Sequence, residues 1–528
     1  MDEPNGNAAD YFVARHLREG RGDRVAFVDP WRSLTYTELD AASSRFAAGL
    51  KAAGIERERR IALVMLDTID FPIAFWGALK AGVIPVPINT LLPPDITGYI
   101  LQDSRAAALF VSAPLCAPLQ PFAPDRLYVV ATDGNGGDFV SFGDGAEGAR
   151  PPDGMGNTPE GGGGSSNVPP AECSPDEVAF WLYSSGSTGA PKGARHVHAS
   201  LKATADTYAA NVLELTEDDV VFSVAKLFFA YGLGNSMTFP MAVGASTVLL
   251  PDRPTPDAVL DIMRRHRPTL FCGVPTLYAA LLAHSGLGRG AGSDRLRLCI
   301  SAGEPLPEHI GTRWRERVGT DILDGIGSTE MLHIFLSNRP GDIRYGTTGK
   351  PVPGYEARIV DEAGDDVVSD NASGELVVRG PSAAEGYWNQ RDKSRHTFRG
   401  EWTYTGDTYM RDADGYYRYC GRQDDMLKVG GIWVSPFEVE EALIAHPAVL
   451  ESAVVGHADA DGLIKPKAFV VLQQSAQKED PAALAATLQS AVKDRIGVWK
   501  YPRWIEFADE LPKTATGKIQ RYKLRDGA

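Results

Sequence analysis

The sequence predicts an α/β protein: a large N-terminal domain of mostly parallel sheets flanked by helices, followed by a small α+β C-terminal domain. Three observations carry this. Short apolar runs alternate with helical patterns early in the chain, the signature of parallel sheets. At 528 residues the chain exceeds what one hydrophobic core usually supports. About a hundred residues at the C-terminal end carry their own helices and strand, enough for a small core.

The elements follow in order. Thr37-Glu-Leu-Asp40 reads as a helix start, with Thr37 as N-cap and an acidic first turn. Leu39, Phe46 and Leu50 recur at helical spacing, and Gly54 can close the helix. Arg60-Ile-Ala-Leu-Val-Met65 is a strand, residues 71–81 a helix stopped by Gly82, and Val83-Ile-Pro-Val86 the next strand. Residues 133–170 are rich in Gly, Pro, Ser, Asn and acidic side chains, and read as a flexible surface insertion. Val178-Ala-Phe-Trp-Leu182 is a buried strand. Residues 227–250 carry no ionisable side chain except Tyr231 and are long enough to span a bilayer. Their glycines, Pro240 and polar residues favour a buried helix–turn–strand instead.

Further on, residues 409–419 read as a hairpin around Asp414-Gly415. Ser435-Pro-Phe-Glu438 reads as a capping box, with Glu438 reaching back to the cap. Asp480-Pro481 starts a helix toward Arg495, and Trp504-Ile-Glu-Phe507 is a strand.

The most informative stretch is Tyr183-Ser-Ser-Gly-Ser-Thr-Gly-Ala-Pro-Lys-Gly193, directly behind the strand at 178–182. Glycines admit close backbone N–H groups, hydroxyls donate, and a lysine supplies a point charge, which is what a polyphosphate needs. The spacing is not that of a Walker A loop, because Gly186 and Gly189 are three apart and Lys192 precedes Gly193. A Ser/Gly linker would rarely place Pro-Lys-Gly there.

This loop resembles the phosphate-binding signature of the adenylate-forming superfamily of acyl- and aryl-CoA synthetases, luciferases and peptide-synthetase adenylation domains. Six further motifs follow in the family's order: Ser301-Ala-Gly-Glu-Pro-Leu-Pro307, Gly325-Ile-Gly-Ser-Thr-Glu330, Tyr404-Thr-Gly-Asp407, Gly421-Arg-Gln-Asp-Asp425, Lys428-Val-Gly-Gly431 and Pro512-Lys-Thr-Ala-Thr-Gly-Lys518. The resemblance implies ATP, Mg²⁺ and coenzyme A, and a two-step reaction through an acyl-adenylate.

It also implies roles. Ser184, Thr188, Gly189 and Lys192 would cradle the phosphates. Glu330 offers Mg²⁺ a hard oxygen ligand, and Thr329 would donate to a phosphate oxygen. Asp407 and Arg422 would hold the ribose hydroxyls. Gly303 and Glu304 would border the adenine, with Glu304 a candidate helix cap. Lys518 would neutralise the carboxylate and α-phosphate as charge develops. The hinge would fall at Asp424, making 1–423 the adenylation domain and 424–528 a mobile domain. Gly430 and Gly431 would leave room for pantetheine. Lys465 and Lys467 are candidates for the CoA phosphates, and Lys513 reads as solvated.

The acid pocket would form from Phe229, Ala230, Tyr231, Gly327, His333 and Ile334, a flat apolar neighbourhood. No aspartate stands before Tyr231, which disfavours an α-amino acid. The strings most resemble benzoate- and hydroxybenzoate-CoA ligases. His333 is either a substrate contact or a packed core ring. Medium-chain fatty acids, a luciferase-like oxygenase, a carrier-loading enzyme and an inactive ligand-binding relative are the other readings. The intact set Lys192, Glu330, Asp407, Arg422 and Lys518 opposes the last.

Bulk properties bound the rest. Hydrophobic residues make up 43% and charged residues 23%, an ordinary globular balance. A net charge of −15 argues against a nucleic-acid binder and means that anionic substrates need local positive sites. Cys116, Cys173, Cys272, Cys299 and Cys420 form no CxxC pair, which suits reduced thiols in a cytoplasmic enzyme. The N-terminus shows no signal-peptide pattern. The expected partners are a small aromatic carboxylic acid, ATP and CoA, with no nucleic acid or membrane; a homodimer is left open.

Overall fold

The early strand–helix alternation builds a parallel sheet. Its strands lie in the order Ile84–Pro87, Arg60–Val64, Ala108–Ser112 and Leu127–Val130, and Phe139–Phe142 closes the edge antiparallel. The computed structural model describes residues 5–132, 139–142, 168–186, 189–429, 432–460, 463–478, 480–498, 500–513 and 519–526. Within the stretch read as a flexible insertion, Phe139–Phe142 is therefore an edge strand paired with Leu127–Val130; residues 133–138 and 143–167 lie outside the described residues.

The first long helix spans Tyr36–Ala52 and begins two residues earlier than the sequence reading placed it. Its N-cap is Thr35, not Thr37. Thr35 is extended, its hydroxyl accepts from the Glu38 N–H, and the Glu38 carboxylate accepts from the Thr35 N–H. This reciprocal capping box satisfies two donors where Thr37 would satisfy one. Leu39, Phe46 and Leu50 are buried on it. Gly54 follows with φ +67°, a conformation that costs glycine nothing.

Helix Asp70–Lys80 lies against this one. A Cβ at Gly77 would meet Phe46 Cδ1 at 2.7 Å and the Ser43 carbonyl at 2.8 Å, so only glycine permits the approach. Lys80 is 1% exposed and donates to the Asp40 carboxylate at 2.7 Å, the Asp40 carbonyl at 2.8 Å and Ser44 Oγ at 2.9 Å. Burial pulls its pKa down and the carboxylate opposes that. A buried ammonium with all three protons donated is the tolerable form of such a group.

A second sheet has the strand order Lys350–Pro351, Ile334–Ser337, Ile322–Gly327, Leu298–Ser301, Leu270–Gly273, Val220–Ser223, Ser246–Val248, Val25–Val28 and Ser33–Thr35. Its centre is parallel, and its edges are antiparallel. The uncharged run at 227–250 is a broken helix, Ala230–Leu233 through Gly234–Thr238 to Phe239–Val243, followed by the strand Ser246–Val248. Among the described residues no helix is long and apolar enough to cross a membrane. A third, three-stranded sheet joins Val178–Gly186, Gly189–Val197 and Gly386–Tyr387.

The chain divides into two compact units: residues 1–356 with 378–403, and residues 357–377 with 404–528. In the second, Trp402–Arg411 and Tyr417–Arg422 form the expected hairpin, turned at Gly415 with φ +83°. Helices Pro436–Ile444 and Pro481–Ile496 cover the sheet of Val449–Ala458, Ile464–Leu472 and Trp504–Phe507, with Val439, Leu443, Val454, Val470, Leu488 and Val492 buried together. Ser435 caps as expected, accepting from the Glu438 N–H at 3.1 Å. The reciprocal half does not form. Glu438 instead takes Lys500 Nζ on both oxygens at 2.7 Å, because a charged donor outbids a neutral N–H. Glu440 and Arg521 make a buried ion pair at 2.7 Å.

Two buried histidines of the first unit give a pH prediction. His16 Nδ1 accepts from Arg21 Nε at 2.9 Å and Nε2 donates to the Met241 carbonyl at 2.6 Å; His198 Nδ1 accepts from the Ala8 N–H at 3.1 Å. Both rings must be neutral for these bonds. Burial lowers both pKa values from 6.5 to about 4. A base with a depressed folded pKa stabilises fully above its unfolded pKa and loses that contribution as pH falls toward the folded one. Denaturant midpoints should therefore hold above pH 6.5 and fall between pH 6.5 and 4. Each ring should contribute on the order of 3 kcal/mol to the loss. His198→Gln should flatten that fall, and an unchanged slope would show that His198 is not held neutral.

Candidate active site

The described residues of the serine/glycine stretch lie on the two arms of an antiparallel hairpin. Ser184 pairs with Lys192 and Gly186 with Gly189. Thr188 lies outside the described residues. The antiparallel register sends alternate side chains to opposite faces. Ser184, Lys192, Ala194 and His196 share one face, and Tyr387, paired with Ala194 from the third strand, joins them.

On that face Lys192 Nζ donates to the Tyr387 hydroxyl at 2.6 Å, and the hydroxyl donates to Glu330 Oε1 at 2.6 Å. Lys192 Nζ is also 3.1 Å from Glu330 Oε1. Burial opposes ionisation of Glu330, but the Lys192 charge and the Tyr387 hydroxyl outweigh it and hold the carboxyl below its ordinary pKa. Glu330 is thus a carboxylate beside a cation. The sequence reading paired Lys192 and Glu330 by role and passed over Tyr387. Its strand, Gly386–Tyr387, is two residues long, too short to leave a periodic signal.

Glu330 belongs to the turn between Ile322–Gly327 and Ile334–Ser337, which pair antiparallel. The turn is tied down at several points. Met331 N–H donates to Ser328 Oγ at 3.2 Å, and Ala384 N–H to the Glu330 carbonyl at 2.8 Å. Ser382 Oγ donates to the Met331 carbonyl at 2.6 Å, and His196 Nε2 lies 2.8 Å from the Thr329 carbonyl. Leu332 holds φ +65°, a strained conformation for a side chain of that size, of the kind that clusters at functional sites.

The turn brings part of the expected acid pocket together. Gly327 pairs with Ile334, and a Cβ at Gly327 would meet the His333 carbonyl at 2.4 Å. His333 is 2% exposed, its Nε2 3.3 Å from the Tyr231 carbonyl. Its ring centroid is 4.4 Å from Phe239, 5.5 Å from Tyr208 and 5.7 Å from Tyr231. Burial lowers its pKa to about 3, so it is a neutral ring. Nδ1 has no partner among the described residues. A Cβ at Gly234 would strike its Cδ2 at 2.3 Å. Tyr231 donates its hydroxyl to the Gly273 and Ile300 carbonyls, each at 3.2 Å, which leaves its ring rather than its hydroxyl as the pocket surface. Phe229 caps the helix Ala230–Leu233 that carries it.

Gly303 is exposed with φ +91°, and no atom lies within 4 Å of where its Cβ would be. That open position suits the close approach of a flat ring. Glu304 is not a helix cap. The next helix, Glu308–Val318, starts four residues later behind Pro307, with no side-chain cap bond.

In the second unit, Asp407 and Arg422 are cross-strand partners: Asp407 Oδ1 accepts from Arg422 Nη1 at 2.9 Å, which also donates to the Thr405 carbonyl at 3.0 Å. Asp424 stands in the turn Gln423–Asp425. Gly430, Gly431 and Lys518 lie outside the described residues. Lys513 is paired with Glu451 at 2.7 Å, and Lys467 with Glu506 at 3.1 Å, so neither is a bare surface cation.

Among the described residues no cluster of three His, Cys, Asp or Glu could hold a metal on its own. Glu330 still fits Mg²⁺, which keeps its waters and needs only one or two carboxylates beside substrate phosphates. All five cysteines are free thiols, four of them buried.

The AMP-binding enzyme model matches residues 14–388, and the AMP-binding enzyme C-terminal domain model matches residues 438–518. A 4-hydroxybenzoate–CoA/benzoate–CoA ligase of Rhodopseudomonas palustris is 52% identical over 98% of this chain and 94% of its own length. A benzoate–CoA ligase of Thauera aromatica is 52% identical over 98% and 95%. The crystal structure of a benzoate CoA ligase from Burkholderia xenovorans LB400 superposes with TM-score 0.85 at 48% identity, covering 98% of this chain and 99% of that one. The resemblance read from the motifs is borne out: the chain belongs to the AMP-binding enzyme family.

Proposed function

We propose that the protein is an AMP-forming acid–thiol ligase that joins benzoate or a hydroxybenzoate to CoA. The observation that carries this reading is 52% identity, over nearly the whole chain, to two ligases named for benzoate. The ring-lined region around Tyr231 and His333 supports it, because it offers the apolar faces of Tyr208, Tyr231 and Phe239.

In this reading the substrate carboxylate oxygen attacks the α-phosphorus of ATP and pyrophosphate leaves. The CoA thiolate then attacks the acyl carbon and AMP leaves. Lys192, with Ser184, Thr188 and Gly189, holds the leaving phosphates. Thr329 donates to a phosphate oxygen. Glu330 would hold Mg²⁺, which would supply charge neutralisation at the phosphates. Lys192 must turn from Glu330 toward the phosphates to do its part, and Tyr387 keeps both within reach. Asp407 and Arg422 hold the ribose, and Gly303 and Glu304 border the adenine. Lys518 neutralises developing charge during adenylation. Asp424 is the hinge between residues 1–423 and 424–528, and Gly430 and Gly431 line the pantetheine path. The enzyme works in the cytoplasm.

Two measurements test this. Specificity constants for benzoate and 4-hydroxybenzoate in an AMP-release assay should exceed those for acetate and octanoate by at least about tenfold, ~1.4 kcal/mol. A preference for octanoate would replace the aryl reading with a fatty-acyl one. Separately, Lys518→Ala should slow adenylation about a hundredfold or more, the usual worth of one contact to developing charge, ~2.7–4 kcal/mol. The same variant should transfer the acyl group from supplied benzoyl-adenylate to CoA at close to the normal rate. Equal loss in both steps would contradict a role confined to adenylation.

A further inference from the structure

The hairpin that carries Lys192 on one face carries a different set on the other. Trp181 pairs directly with Arg195, and Gly386 of the third strand pairs with Arg195 from the other side. Trp388, two residues beyond Gly386, donates its backbone N–H to the Gly193 carbonyl and so sits in register on the same face. This face borders a half-open cavity of about 310 Å³ lined also by Arg57, Glu58, Arg60, Cys173 and Glu177. The cavity lies at the base of the hairpin, away from the glycine tip. No role proposed above uses it.

Its chemistry is specific. The Trp181 and Trp388 rings are 4.8 Å apart at 36°. The Arg60 guanidinium sits 5.4 Å from one and 5.5 Å from the other. Arg57 is already paired with Glu177. Arg195 is not: its Nε is buried without a hydrogen-bond partner among the described residues, and no carboxylate among them pairs with it. A half-buried guanidinium without an anion is costly to leave so. His198, also on the wall, is held neutral by burial and supplies no charge. The volume is at the lower end of the ~300–1,000 Å³ range of small-molecule sites.

We propose that this cavity is a second binding site, for a small aromatic carboxylate, with the carboxylate on Arg195 and the ring against Trp388, the partly exposed one of the two tryptophans. Planar bidentate recognition is what a guanidinium does best with a carboxylate. The site is separate from the acid pocket at Tyr231 and His333, and it backs directly onto the strand that holds Lys192. The choice of benzoate as the ligand rests on the proposed substrate class.

The experiment blocks the acid and nucleotide pockets with a non-reactive benzoyl-adenylate analogue, in which a sulfamate replaces the phosphate. Labelled benzoate is then titrated by equilibrium dialysis. About one further equivalent should bind, and Arg195→Gln should weaken it at least about tenfold while leaving analogue affinity unchanged. No further equivalent up to about 5 mM benzoate, or equal binding in Arg195→Gln, overturns the proposal. Failure of the analogue itself to bind would count against the ligase reading instead. A second readout needs no variant. Cys173 is the one partly exposed free cysteine and lines the cavity, so benzoate should slow its alkylation by iodoacetamide at least threefold, read by peptide mass spectrometry. An unchanged alkylation rate also overturns the second site.

Discussion

A lysine ammonium and a glutamate carboxylate, half-buried and bridged by one tyrosine hydroxyl, set what the rest of the first unit has to hold in place. Lys192, Tyr387 and Glu330 come from three separate stretches of chain, and each reaches the same point from a different element. The hairpin fixes Lys192 by register. The two-residue strand Gly386–Tyr387 fixes the hydroxyl by pairing with Arg195 and Ala194. The turn after Ile322–Gly327 fixes Glu330, and its tethers to Ser382, Ala384 and His196 hold that turn. In a chain with net charge −15, a cation that is to meet an anionic substrate has to be supplied locally. In the proposed reading Glu330 keeps that cation close until the phosphates arrive.

The same turn links the proposed phosphate site to the proposed acid pocket. Glu330 and His333 are three residues apart, with Leu332 at positive φ between them. His333 is neutral and ringed by Phe239, Tyr208 and Tyr231, so its place in the pocket is one of shape. Gly234 and Gly327 make that placement possible, since a side chain at either position would displace it. Packing around one imidazole thereby fixes both the pocket wall and the carboxylate.

Much of this was legible in the sequence, and the misses have physical causes. Alternating apolar runs announced the parallel sheets because their spacing is local. The pairing of Asp407 with Arg422 was readable because a short turn sets the hairpin register. The first helix start was misplaced because Thr35 and Thr37 both precede Glu38, and only the structure shows which hydroxyl meets its N–H. Glu438 looked like the back half of a capping box, but a lysine 62 residues away claims it. Tyr387 was invisible because its importance comes from register with a strand almost two hundred residues earlier.

The most direct test of this account is Tyr387→Phe, followed through ATP-dependent pyrophosphate release with saturating benzoate. The ring packs against Phe398 at 5.4 Å, so phenylalanine should preserve the fold and the melting temperature. Loss of a hydrogen bond shared by two charged groups is worth about 1.5–3 kcal/mol. The kcat/KM for ATP should fall roughly ten- to a hundredfold, with the KM for benzoate unchanged within about twofold. An unchanged kcat/KM for ATP would show that Lys192 and Glu330 are positioned without the tyrosine, and would contradict the account.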